Sequence, residues 1–194
     1  MKISIGMNLQ PGAWGGGNQF GISFANYLKE RGVEVSFDLK DPGLDIIYLT
    51  EPRTNLAISA YTDADIYPYL FFKNRKALVI HRINECDERK GTTGVNKRIM
   101  DANRCADHTV FISAWLKDLY FKQGLCPASF DVLPNGANPA IFNAEGYKKW
   151  TGAGKLRFVT HHWGANFLKG FDIYERLDKM LGEPAWRDRL EFTF

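Results

Sequence analysis

No apolar run in this chain approaches the ~20 residues that a helix needs to cross a bilayer. No signal-peptide layout is expected either, since Met1-Lys2 runs directly into what reads as a strand. Cysteine is scarce: Cys86, Cys105 and Cys126 form an odd set without C-x-x-C spacing. That argues against a disulfide framework or a zinc site and for a reducing compartment. A dominant charge is absent too. The 25 basic residues against 22 acidic ones leave +3, too mild to argue for nucleic acid. Together these absences predict a cytoplasmic protein whose only membrane contact would be peripheral, on the inner face.

What is there is globular. The 194 residues are 45% hydrophobic and 24% charged, which excludes disordered and fibrous classes. That length allows one large domain, or one domain plus part of another. Strands and helices alternate along it, predicting an α/β fold with a Rossmann-like parallel sheet and flanking helices. Ile3 to Met7 reads as a strand, followed by a loop from Gln10 to Gly17. Asn18 is then placed to cap a helix carrying Phe20, Phe24, Tyr27 and Leu28. Further strands are expected at Val33 to Phe37, Ile46 to Leu49, Ala77 to Ile80, Thr109 to Ile112 and Phe130 to Leu133. Between them a helix broken by Pro68 is expected over Thr54 to Phe72, then one from Val95 to Cys105, and one capped by Ser113 and closed by Gly124. This predicts a domain over 1–135, a linker over 136–154 and the start of a second, truncated Rossmann-like unit over 155–194.

Candidate chemistry gathers where strands end. Gly15-Gly16-Gly17 opens the first helix, and consecutive glycines let a ligand come close to exposed N–H groups. A dinucleotide G-x-G-x-x-G would need glycine where Phe20 stands, and a P-loop fails because Ile22 follows Gly21. His81-Arg82-Ile83-Asn84-Glu85 is expected to put polar groups at the carboxyl end of a buried strand, as ligand contacts or structural hydrogen bonders. His161-His162 occupies the equivalent place in the second unit; neighbouring strand residues point to opposite faces, so no metal site is expected there. The runs Lys73-Asn74-Arg75-Lys76 and Arg89-Lys90 read as solvated loops, with phosphate or an anionic membrane as the alternative. Trp14, Tyr67, Tyr69 and Phe71-Phe72 read as packing residues, with sugar stacking or membrane contact as alternatives.

Taken together, these segments resemble the family 4 retaining glycosyltransferases of the GT-B fold along most of the chain. Gly15-Gly16-Gly17 looks like that family's N-terminal glycine loop, and His81-Arg82-Ile83-Asn84 like its strand-end motif. Phe111-Ile112-Ser113-Ala114-Trp115-Leu116 is similar to its "v-S-x-w" segment. Asp131-Val132-Leu133-Pro134-Asn135-Gly136-Ala137-Asn138, with Pro139 and Phe142, resembles the interdomain "V-x-P-N-G-x-D-x-x-x-F" and is the most specific match. Trp163-Gly164-Ala165-Asn166-Phe167-Leu168-Lys169-Gly170 resembles the start of the donor domain.

The resemblance implies sugar transfer from a nucleotide-sugar donor to a carbohydrate or lipid-linked acceptor with retained configuration, between two facing domains. The nucleotide sugar is then a substrate, and no cofactor or metal is implied. His81 and Lys169 would be catalytic, His81 against the transferred sugar and Lys169 offsetting charge on the leaving diphosphate. Gly15, Gly16, Gly17, Asn18, Arg82, Asn84, Glu85, Asn135, Gly136, His162 and Trp163 would bind donor or acceptor. Two departures stand out. The arginine often found before the Lys-Gly step is replaced by Thr160-His161-His162-Trp163-Gly164, and Asn138 stands for the linker aspartate. A sugar-nucleotide epimerase of the same fold and a non-catalytic Rossmann-like module are the other readings.

Overall fold

The computed structural model describes residues 1–12, 14–160 and 167–193. The chain divides into two compact units, Met1–Gly136 and Ala137–Phe194.

In the first unit, short runs of branched and aromatic residues form β1 (Lys2–Ile5), β2 (Glu34–Ser36), β3 (Ile46–Leu49), β4 (Leu78–Ile83), β5 (His108–Phe111) and β6 (Phe130–Val132). All pair in parallel, in the order β2-β1-β3-β4-β5-β6. Four helices flank the sheet: α1 (Gly15–Glu30), α2 (Asp63–Phe72), α3 (Val95–Asn103) and α4 (Ala114–Lys122). This is the Rossmann-like α/β architecture. Because alternate strand residues point to opposite faces, the sheet carries a core on each side. Ile3, Ile5 and Tyr48 meet Ala25 and Leu28 of α1 on one face. Ile47, Leu49 and Val79 meet Ile66 and Tyr69 of α2 on the other, continued by Ile83 and Phe111 against Ile99, Leu116 and Tyr120.

Local signals account for several boundaries. Ser113 Oγ accepts from Leu116 N at 3.2 Å to open α4, and Gly124 follows the helix at φ 94°. Thr62 and Asp65 form a capping box that starts α2.

The structure corrects several expectations. The Gln10 to Gly17 segment is not a loop throughout, because Gly15, Gly16 and Gly17 are already the first turn of α1. Asn18 lies inside that helix and does not cap it. The helix expected from Thr54 is only α2, beginning at Asp63, and it runs through Pro68 unbroken. Pro68 and Ala64 are both exposed, so the carbonyl that Pro68 leaves without a donor faces water. Residues 54–62 instead turn back over the sheet, where Met7 bridges Ser59 and Asn8 N donates to Ile58 O at 2.8 Å. β4 runs on to Ile83, so His81 lies within the strand and not after it.

The second unit holds β7 (Leu156–Val159), a 3-10 turn (Phe167–Lys169), α5 (Phe171–Leu181), α6 (Pro184–Arg187) and β8 (Leu190–Thr193). β7 and β8 pair in parallel, Leu156 opposite Leu190, and no residue of α5 is buried. No described helix is long and apolar enough to cross a membrane.

Candidate functional site

The chain leaves β1 for β2 on one side and then crosses back to β3 on the other. Ligands of doubly wound sheets bind outside the carboxyl ends of the strands at such a reversal. Two segments meet that edge here: the β1–α1 connection and the turn after β3.

The first turn of α1 is built from three glycines, yet its conformation requires glycine at one of them. Gly15 stands at φ 80°, while Gly16 and Gly17 are helical and a Cβ on either would meet nothing within 4 Å. Trp14 precedes the helix and supplies no side-chain cap, so the opening N–H groups have no partner of that kind. Asn18 braces this entrance. It is buried, its amide donates to Gln10 O at 2.8 Å, and its Oδ1 accepts from Gln10 N at 2.8 Å. Gly21, considered in the sequence only as part of a P-loop, is where a side chain would press on the mobile ends of two others. A Cβ there would come within 2.6 Å of Leu9 Cδ2 and 2.8 Å of Met7 Sδ.

Beside this turn lies a buried cation. Arg82 is 3% exposed, and its guanidinium carbon sits 3.7 Å from the ring centroid of Phe20, one turn into α1. Arg82 Nη2 donates to Asn135 Oδ1 at 2.8 Å, which ties β4 to the segment after β6. Among the described residues no carboxylate lies within ion-pair distance of it. Burial lowers the Arg82 pKa, but a guanidinium stays protonated. The neighbouring Tyr48 phenol, pushed up to about 12 by burial, stays neutral and supplies no countercharge. A positive charge is therefore held under an aromatic ring with N–H donors to spare.

His81 is elsewhere. Strand alternation sends it to the opposite face from Arg82, where it is 0% exposed. Asn103 Nδ2 lies 3.0 Å from His81 Nδ1 and donates to Thr109 Oγ1 at 2.8 Å. With Nδ1 accepting from the amide, the ring proton resides on Nε2, which has no hydrogen-bond partner among the described residues. Burial pushes the His81 pKa down to about 3; Asp63 pulls it up and Arg98 lowers it further. The expectation of a histidine facing the cleft is corrected by this placement, whose cause is that β4 runs three residues past Ile80.

Asn84 and Glu85 do stand at the carboxyl edge. Asn84 O accepts from Arg89 Nη1 at 3.1 Å. Glu85 is 8% exposed, pairs with Lys90, and its carbonyl accepts from the Tyr120 hydroxyl at 2.8 Å. Lys90 is thus a partner of the site and not simply a solvated loop residue. Sequence reading missed Glu51 and Arg53. Arg53 Nε and Nη2 each donate to Glu51 at 2.6 Å, and this bidentate pair raises the Arg53 pKa, with Glu85 adding to the field. Their spacing of two, just past an apolar strand, is the signal that would have marked them.

Gly136 is exposed, with open space around its Cα. His162 and Trp163 lie outside the described residues. Lys169, in the second unit, is exposed on the 3-10 turn before α5, and its carbonyl accepts from Tyr174 at 3.1 Å. Among the described residues no group of three His, Cys, Asp or Glu side chains is arranged to hold a metal. A groove of about 640 Å³ lies at the far edge of the sheet, where Lys97, Asp101 and Arg104 pair with one another. The glycine turn of α1, Arg82 with Asn135, and the Glu51–Arg53 and Glu85–Lys90 pairs thus make one polar edge suited to an anionic, hydroxyl-rich ligand. Compared with known proteins, the chain matches no family model and no curated sequence.

Proposed function

We propose that the protein is a glycosyltransferase that moves a sugar from a nucleotide-sugar donor to a carbohydrate or lipid-linked acceptor with retention of configuration. One observation carries this reading. A glycine-opened helix start without a side-chain cap lies at the sheet's topological switch, beside a buried arginine with no carboxylate partner. Backbone N–H groups and a guanidinium together suit phosphate oxygens. The sequence resemblance through Asp131 to Phe142 supports the same class. Arg82, Asn135, Asn84 and Glu85 are the binding residues of this reading, with Gly16 and Gly17 allowing close approach.

The test is a panel of nucleotide sugars, with and without saccharide and lipid-linked acceptors. Nucleoside diphosphate release is the readout for hydrolysis or transfer. Arg82→Gln and Lys169→Ala are expected to lower turnover by at least about tenfold each. Release that neither change affects would sink these assignments, and no release from any donor would sink the reaction class. A sugar epimerised without any acceptor would move the protein to the epimerase reading.

A further inference from the structure

We propose that the C-terminal end of α2 and the turn into β4 dock on an anionic lipid surface. Ile66 and Tyr69 already supply the buried side of α2. Phe71 and Phe72 project the other way, 64% and 80% exposed, with ring centroids 4.7 Å apart in an edge-to-face pair. Tyr67, one helical turn before Phe71, is 48% exposed. Neither packing nor fold needs these rings, and water is a poor neighbour for them.

Charge names the occupant. Between Ile66 and Leu78 there are three basic residues, Lys73, Arg75 and Lys76, and no acidic one. The Arg75 guanidinium lies 5.4 Å from the Phe71 centroid, and Lys73 Nζ donates to the Leu39 carbonyl at 2.6 Å. Among the described residues none of the three pairs with a carboxylate within 4.0 Å. Lys73 acts on the Asp38 carboxylate, which leaves Arg75 and Lys76 as the cations beside the rings. Exposed aromatic rings next to such cations suit the interfacial zone of a negative leaflet, rings at headgroup depth and cations on phosphate. The patch also sits at the amino end of β4, and six residues of strand separate it from the carboxyl edge, about 20 Å. Docking there leaves the candidate site unobstructed. The inference does not rest on the reaction proposed above.

The test is flotation of the full chain with vesicles of phosphatidylcholine containing phosphatidylglycerol, against phosphatidylcholine alone, at low and high salt. Binding to the anionic vesicles is expected, weakening with salt. Arg75→Gln with Lys76→Gln should weaken it about fivefold per charge removed. Phe71→Ser with Phe72→Ser should abolish it while leaving the circular dichroism spectrum unchanged. Absence of binding to anionic vesicles, equal binding to the neutral ones, or variants that bind like the parent would each overturn the proposal. A dimer in sedimentation velocity that Phe71→Ser and Phe72→Ser dissociate, without vesicle binding, would overturn it in favour of self-association.

Discussion

Replacing Gly16 and Gly17 with alanine should stabilise the protein and weaken its ligand binding at once. Both glycines have helical backbone, and a Cβ on either meets open space. Alanine there restricts the unfolded chain and removes the low helix propensity of glycine, at no packing cost. Each substitution is worth about 0.4–1 kcal/mol, so the pair should raise the unfolding free energy by roughly 1–2 kcal/mol. The neighbours set the contrast. Gly15→Ala forces a left-handed alanine at φ 80° and should cost about 1–2 kcal/mol. Gly21→Ala presses a methyl on the ends of Leu9 and Met7, which must shift, and should stabilise less than the changes at Gly16 and Gly17. Urea unfolding followed by far-UV circular dichroism reads all four changes. Isothermal titration with nucleoside diphosphates reads the other half, in which Gly16→Ala with Gly17→Ala should weaken binding at least about tenfold, because methyl groups cover the N–H groups. A destabilised double variant would refute the geometry of the turn. A stabilised one that binds nucleoside diphosphates as tightly as the parent would refute its role.

Three further outcomes follow from side chains near the site. His81 is held neutral with its pKa near 3, against 6.5 in the unfolded chain, so the unfolded state binds the extra proton between these values. Stability from this group is therefore present above about pH 6.5 and lost as pH falls toward 3, by at most about 5 kcal/mol; His81→Leu should flatten that limb in pH-dependent urea unfolding. Asn18→Ala removes both bonds to Gln10 and should cost about 1–3 kcal/mol by the same assay. Asn135→Ala strips Arg82 of its acceptor and should cost about 1–3 kcal/mol, with Asn135→Asp restoring stability by pairing the cation while reducing nucleoside diphosphate affinity.

The sheet was legible because its strands are written as short apolar runs between clear stops. Ser113 and Gly124 bracket α4 as local chemistry demands, and Gly32, at φ 74°, closes α1. His81-Arg82 misled because two polar residues in succession look like the end of a buried strand. Each finds its partner far along the chain: Asn103 for His81, 22 residues on, and Asn135 for Arg82, 53 residues on. No local pattern encodes such pairings. The glycine turn was placed correctly and given the wrong form, since glycine disfavours helix on propensity alone and the tether from Asn18 to Gln10 overrides it. Glu51 and Arg53 directly follow the strand that ends at Leu49, yet a Glu and an Arg two apart resemble ordinary surface charge until their bidentate pairing is in view.

The Asn18 amide joins two parts of the chain eight residues apart. By holding both the N–H and the carbonyl of Gln10, it clasps residues 10 and 18 as a β-bridge would, and it does so from within the helix. The chain therefore leaves β1 and enters α1 at two points that are fixed to each other. The residues between Gln10 and Gly15 can then be exchanged while β1 and α1 keep their places. A chain built this way can change what it grips at this edge by revising one short cassette, leaving its core alone.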